Sequence, residues 1–127
     1  MADARRQRGR CEVISAEHQL PAIDVDAAAA EPDTTVLLDV REYEEWMAGH
    51  APTATHIAMS QLAERVVELD KSRRIVCICR SGNRSARVTE WLRSQGFDAV
   101  NMSGGMSAWS SFGHPLVNHA GHPGVVI

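Results

Sequence analysis

A chain of 127 residues, 44% hydrophobic and 23% charged, has the size and composition of one globular domain that can bury a core without staples. Its net charge of −3 gives no general attraction to nucleic acid or to an acidic membrane surface. Positive charge is local instead, with four arginines in the first ten residues and three between Arg80 and Arg87.

In chain order, residues 1–20 read as a loosely ordered extension. "MADARRQRGR" has basic residues but no apolar segment behind them, so it is a solvated tail and not a secretory signal. "CEVI" at 11–14 could add a short edge strand. Asp24 caps a short helix through the alanines at 27–30, and "EPD" at 31–33 breaks it. "TVLLDV" at 35–40 is a buried strand. Tyr43, Trp46 and Met47 then recur at helical spacing, and Gly49 ends that helix.

"HAPTATHIAMS" at 50–60 is a turn with a short strand around His56 and Ile57. Ser60 caps the next helix, in which Leu62, Val66 and Leu69 share a face. "RIVCIC" at 74–79 is the second strong strand. Val88, Trp91 and Leu92 mark an amphipathic helix stopped by Gly96, "DAVNM" at 98–102 is a strand, and Gly104 and Gly105 lead into a short helix carrying Trp109. Strands apolar on both faces that alternate with helices define an α/β domain with a covered parallel sheet. Ligands of such sheets bind beyond the carboxyl ends of the strands, and Cys79 stands at one.

The three cysteines, Cys11, Cys77 and Cys79, form no disulfide framework, and a reducing cytosol is their simplest setting. No apolar run approaches the length of a membrane span. His114, His119 and His122 lie in a stretch rich in glycine and proline, which reads as a solvated tail and not a metal site. Trp46, Trp91 and Trp109 read as core.

The chemistry concentrates in "CRSGNRS" at 79–85. A strand end followed by this loop and a helix start gathers backbone N–H groups that have no helical partner. Gly82 allows the positive φ that curls them inward into an anion nest. The helix N-terminus, Arg80 and Arg84 add positive potential, so a thiol at Cys79 is favoured as thiolate. Cys77 lies inside the strand and packs in the core. A buried structural cysteine beside a solvated helix start is the bland alternative for Cys79.

"LLDVREYEEW" at 37–46, "GHAPTATHI" at 49–57, "IVCICRSGNRSARVTEWL" at 75–92 and "MSGGMSAW" at 102–109 together resemble the rhodanese family of sulfurtransferases in order and spacing. The resemblance covers about residues 22–117. It implies a rhodanese-like α/β domain over 21–117, with a central parallel sheet of about five strands and helices on both faces. Residues 118–127 form a C-terminal tail. It implies Cys79 as the nucleophile that carries sulfur, and Arg80, Ser81, Gly82, Asn83, Arg84 and Ser85 as the substrate-binding loop. It implies no metal or organic cofactor, a small anionic sulfur donor, and a thiol or protein sulfur acceptor.

Arg84 follows Cys79 by five positions. Phosphatases of the related fold place their arginine six positions on, so the spacing favours sulfur over phosphate chemistry. Arg80 resembles the thiosulfate-using branch, in contrast to the mercaptopyruvate-using one. Asp39, Arg41 and His50 are structural in this reading. Ala51 and Thr53 in "GHAPTA" and Ala58 depart from the family pattern, which concerns the geometry of that turn. A Cys-dependent phosphatase or arsenate reductase and a binding or sensing module remain as alternatives.

Overall fold

The computed structural model describes residues 20–127. The "CEVI" segment and Cys11 lie outside the described residues. Five short strands form one parallel sheet: β1 (Ala22–Ile23), β2 (Val36–Asp39), β3 (Thr55–His56), β4 (Ile75–Ile78) and β5 (Ala99–Met102). Their spatial order is β1-β5-β4-β2-β3, so β4 is central. Every residue of β4 and β5 is buried, as the continuous apolar runs require of strands covered on both faces.

Strand alternation distributes the core. Ile75, Cys77 and Ala99 face one layer with Leu62, Val88 and Leu92. Val76, Ile78, Val100 and Met102 face the other with Val25, Ala28, Met106 and Trp109. The first layer is thus covered by α3 (Leu62–Arg65) and α4 (Asn83–Ser94), and the second by α1 (Val25–Ala29) and α5 (Gly105–Ser111). α2 (Tyr43–Ala48) lies between β2 and β3 in the chain and has no fully buried residue.

The Asp24 cap is present: its carboxylate accepts the Ala27 N–H at 2.8 Å. Ser60 does not cap. It sits inside a 3-10 turn (Met59–Gln61) that precedes α3, and the Gln61 N–H is satisfied by the Ala58 carbonyl at 2.8 Å. Leu62 is nonetheless buried, with Val66 and Leu69 packed on the same cluster. Of the three tryptophans, only Trp109 is buried. Trp46 is half-buried and stacks on His50, with ring centroids 3.6 Å apart. Trp91 is half-buried against the first layer.

The C-terminal stretch is a strap and not a solvated tail. His50 and Val117 exchange backbone hydrogen bonds, His119 N–H donates to the Met47 carbonyl and Val125 N–H to the Ala48 carbonyl. Gly49 ends α2 with φ 176°, which is ordinary extended backbone. Its glycine is needed for a different reason, because a Cβ there would strike the Val125 backbone. His114 pairs with Asp26 at 2.7 Å, while His119 and His122 are exposed.

Asp39, the last residue of β2, and Arg41, two positions on, are fully buried and paired at 2.8 Å. Arg41 also donates to the Gly49 carbonyl at 2.7 Å, fixing the exit of α2. Removing the anion leaves an uncompensated buried guanidinium, which is far worse than removing both partners. Asp39→Asn should therefore lower the unfolding free energy by about 3–5 kcal/mol in urea titrations. An unchanged midpoint would show that the pair contributes no net stability.

Candidate active site

Cys79 closes β4 and is only 1% exposed. The chain then turns through Arg80 and Ser81 to Gly82, which takes φ +107° and caps α4. That left-handed step brings the Gly82 N–H to 3.0 Å from Cys79 Sγ. The Ser85 hydroxyl lies 3.2 Å from the same sulfur. The backbone N–H groups of Ser81 and Ser85 add to the stabilisation of a negative charge on it. Burial pushes the Cys79 thiol up, and the Ser85 hydroxyl with the Ser85, Gly82 and Ser81 N–H groups outweighs it, leaving the thiol below its ordinary value.

Two features reorder the expected electrostatics. The leading causes that lower the Cys79 thiol are neutral donors, with no arginine among them. Arg84 is engaged elsewhere: its two terminal nitrogens donate to the two Glu45 carboxylate oxygens at 2.8 and 2.9 Å. Each partner reinforces the other, Glu45 lying below and Arg84 above its ordinary pKa, chiefly through this hydrogen-bonded pair. Arg80, Ser81 and Asn83 are exposed around the loop, and Gly82 and Ser85 are buried. All six loop residues and Cys79 are therefore brought together, but their guanidinium charges are not equally free.

Three positions outside the loop hold it, and sequence reasoning did not single them out for this. Asn101 on β5 donates from Nδ2 to the Gly82 carbonyl at 3.1 Å and accepts the Ser85 hydroxyl at Oδ1, 2.6 Å away. Ser85 has one hydroxyl proton, so Asn101 Oδ1 and the sulfur compete for it. Gly105 permits a close approach, because a Cβ there would strike the Cys79 and Arg80 carbonyls. Through that approach Met106 N–H reaches the Cys79 carbonyl at 2.8 Å and Ser107 N–H the Arg80 carbonyl at 2.9 Å. The third position is Glu45. The sequence signals were present in "EEW", "VNM" and the paired glycines, but nothing in them indicates what they touch.

Asp39 and Arg41 do not join the sulfur site as reactive groups; they are the buried pair described above. His50 is a turn residue whose Nδ1 lies 2.7 Å from the Trp46 carbonyl. The departing turn at 51–54 is closed by the Ala54 N–H on the Ala51 carbonyl at 3.1 Å. Cys77 shares the face of Cys79 but is enclosed by the core. Burial pushes its thiol up to about 12, and it is inert as a nucleophile at neutral pH. Among the described residues, no group of three His, Cys, Asp or Glu is placed to hold a metal ion. No helix of the described residues is long and apolar enough to cross a membrane.

A parallel α/β sheet with a thiol at the end of its central strand, facing a glycine N–H and a serine hydroxyl of the strand–helix turn, has the architecture of cysteine-bearing α/β domains. The chain belongs to the rhodanese family: the Rhodanese-like domain model matches residues 22–112. It is 36% identical over 89 residues to a protein of Allochromatium vinosum named "Sulfurtransferase", covering 69% of this chain and 83% of that one. It is 51% identical over 73 residues to Bacillus subtilis "Putative sulfurtransferase YtwF", covering 58% and 71% respectively. Among solved structures, a rhodanese-related protein from Thermoplasma volcanium superposes with a TM-score of 0.73 at 31% identity, over 76% of this chain and 97% of that one. Residues 113–127, most of the strap, lie beyond the matched family region.

The Ser85 hydroxyl is the one side-chain donor on the sulfur, and hydrogen bonds to charged groups contribute about 1.5–3 kcal/mol. Ser85→Ala should slow alkylation of Cys79 by iodoacetamide at neutral pH about tenfold or more. It should also move the pH for half-maximal rate upward, because the thiolate fraction rises with pH through the Cys79 pKa. Peptide mapping should find Cys77 unmodified throughout; modification of Cys77 before Cys79 would contradict the assignment of the two thiols.

Proposed function

We propose that the chain is a sulfurtransferase that moves a sulfane sulfur from thiosulfate or a similar donor to a thiol or cyanide acceptor, with Cys79 as the covalent carrier. The observation that carries this reading is the ring of donors around Cys79 Sγ, with Gly82 N–H at 3.0 Å and Ser85 Oγ at 3.2 Å. Such a ring favours a thiolate and holds equally well the negative terminal sulfur of a persulfide.

The cycle has two displacements. The Cys79 thiolate attacks the outer sulfur of thiosulfate, the S–S bond to the sulfonate sulfur breaks, and sulfite leaves with the bonding pair. One negative charge remains on the Cys79 persulfide, so charge balances. An acceptor nucleophile then attacks the terminal sulfur, the Cys79–sulfur bond breaks, and the thiolate is restored; with cyanide the product is thiocyanate. Neither step requires a metal or an organic cofactor. The low exposure of Cys79 favours small reagents and donors that present a single reacting atom to the sulfur. Arg80, Ser81 and Asn83, the exposed residues of the loop, bind the donor in this reading. A cellular thiol or a protein thiol is the acceptor, and a reducing cytoplasm is the compartment in which such a cycle runs.

The rival phosphatase reading needs an arginine free to clasp the three equatorial oxygens of a phosphoryl group. Arg84 shares its charge with Glu45 and follows Cys79 by five positions instead of six, and the spacing supports sulfur chemistry.

Incubation with thiosulfate should add the mass of one sulfur atom to the intact protein, removable by cyanide with release of thiocyanate. Cys79→Ser should take up none. Failure of the wild-type protein to load from thiosulfate and from organic persulfides would reject the reading. Turnover of an aryl phosphate without loading would replace it with the phosphatase alternative, and a cellular effect retained in Cys79→Ser would favour a binding module.

A further inference from the structure

The loop carries two arginines that could face an anionic donor, but the structure treats them differently. Arg80 is exposed. Arg84 is bound at both terminal nitrogens by Glu45, at 2.8 and 2.9 Å, in a bidentate arrangement that fixes the plane of the guanidinium as well as its charge. The Arg84 side chain is 34% exposed and Glu45 only 16%, so the carboxylate is the better-shielded member and water competes with it poorly.

Glu45 is itself fixed. It is the third residue of α2, and its Oε1 also accepts the Glu42 N–H at 2.9 Å, completing a capping box. The carboxylate is therefore tied to the backbone of one element while it clamps the arginine of another. The negative charge of Cys79 contributes to the upward shift of Arg84, so the guanidinium and the reactive sulfur are electrostatically coupled.

We propose that Glu45 is a specificity-determining residue of this site: by clamping Arg84 it withdraws one of the loop's two guanidinium charges from the donor, and shifts preference from dianionic donors toward singly charged persulfides. This rests on the sulfurtransferase reading and names the substrate class of the same site. The argument is Coulombic. A free guanidinium attracts a dianion about twice as strongly as a monoanion at the same distance. Neutralising that guanidinium therefore weakens thiosulfate more than it weakens an organic persulfide, whose reacting end carries one charge.

The transfer step balances with the favoured donor as it does with thiosulfate. The Cys79 thiolate attacks the terminal sulfur of the persulfide anion, and the donor S–S bond breaks. A thiolate leaves with the electron pair, and the terminal sulfur retains one negative charge on Cys79. Glu45 takes no part in bond making. It is a positioning residue that acts through Arg84.

Glu45→Gln is the direct test, since the amide oxygen can keep the capping contact to Glu42 while the charge and one of the two acceptors for Arg84 are lost. Steady-state kinetics are compared with thiosulfate and with 2-hydroxyethyl persulfide, whose only charge is on its terminal sulfur, as donors, at a pH where Cys79 is fully ionised. KM for thiosulfate should fall about tenfold, KM for the persulfide about threefold, and kcat for each should change less than twofold. The differential should vanish when Glu45→Gln is made in an Arg84→Met background. Glu45→Asp, which keeps the charge but shortens the reach, should fall between wild type and Glu45→Gln, and carries the test if Glu45→Gln does not fold.

Equal changes in KM for both donors, or a differential that survives Arg84→Met, would overturn the proposal. Calorimetric binding of thiosulfate to Cys79→Ala and to Cys79→Ala with Glu45→Gln separates this from the sulfur-transfer reading. Binding about tenfold tighter in the latter sustains the role of Glu45 even if no variant loads sulfur. Equal binding rejects that role even if sulfur loading succeeds.

Discussion

The site depends on one orientation: the N–H groups of a strand-to-helix turn must point at a single sulfur. A trans peptide carries its N–H opposite to its C=O, so holding a carbonyl outward turns the next residue's N–H inward. The N-terminus of α5 does this to the loop. Ser107 N–H engages the Arg80 carbonyl, and the Ser81 N–H, which contributes to lowering the Cys79 thiol, lies on the opposite side of the same peptide. Asn101 takes the Gly82 carbonyl from β5. Gly82 supplies the left-handed step and Gly105 the close approach of α5. The parallel sheet contributes by placing β5 beside β4, so that Asn101 pairs with Cys77 just behind the loop.

Stabilising the thiolate with dipoles in place of guanidinium groups has a physical consequence. Oriented N–H groups act over a short range and are fixed by the fold, so they favour a charged sulfur at one point without attracting anions from a distance. Full guanidinium charges act over longer range and are screened by salt. The separation of roles follows. Neutral donors are the leading causes that lower the Cys79 thiol, while of the two arginines nearest it in the chain one is exposed and one is clamped by Glu45. The contrast between Cys77 and Cys79 makes the same point: two thiols on one strand face differ because only one reaches the turn.

What was legible in the sequence was local. The sulfur, the Gly82 N–H and the Ser85 hydroxyl lie within seven residues of chain, so "CRSGNRS" contains the whole primary ring. Apolar runs around Ile75–Ile78 and Val36–Asp39 marked the buried strands because both faces are covered. The supporting contacts were not legible. Glu45 reaches Arg84 across 39 positions, and Asn101 reaches Ser85 and Gly82 across 16 and 19. Helical spacing at Trp46 suggested burial, yet its face is covered by histidine rings and not by aliphatic core. The strap around Val117–Val125 was read as solvent-exposed because its hydrogen bonds are made by backbone, which leaves no pattern of side chains.

α2 shows how a marginal element can carry a functional contact. It has six residues and none is fully buried, and an isolated helix of this length is unstable in water. Its position must come from its ends. At the N-terminal end, the capping box and the Arg84 pair share Glu45. At the C-terminal end, the strap takes the Met47 and Ala48 carbonyls, and Arg41 takes that of Gly49. Arg41 is in turn held by Asp39 at the end of β2, the strand next to β4. The placement of the carboxylate that clamps Arg84 is therefore tied to the sheet through a buried ion pair and to a segment beyond the matched family region. The strap is thus linked to Arg84 through α2, with no contact of its own to the loop required.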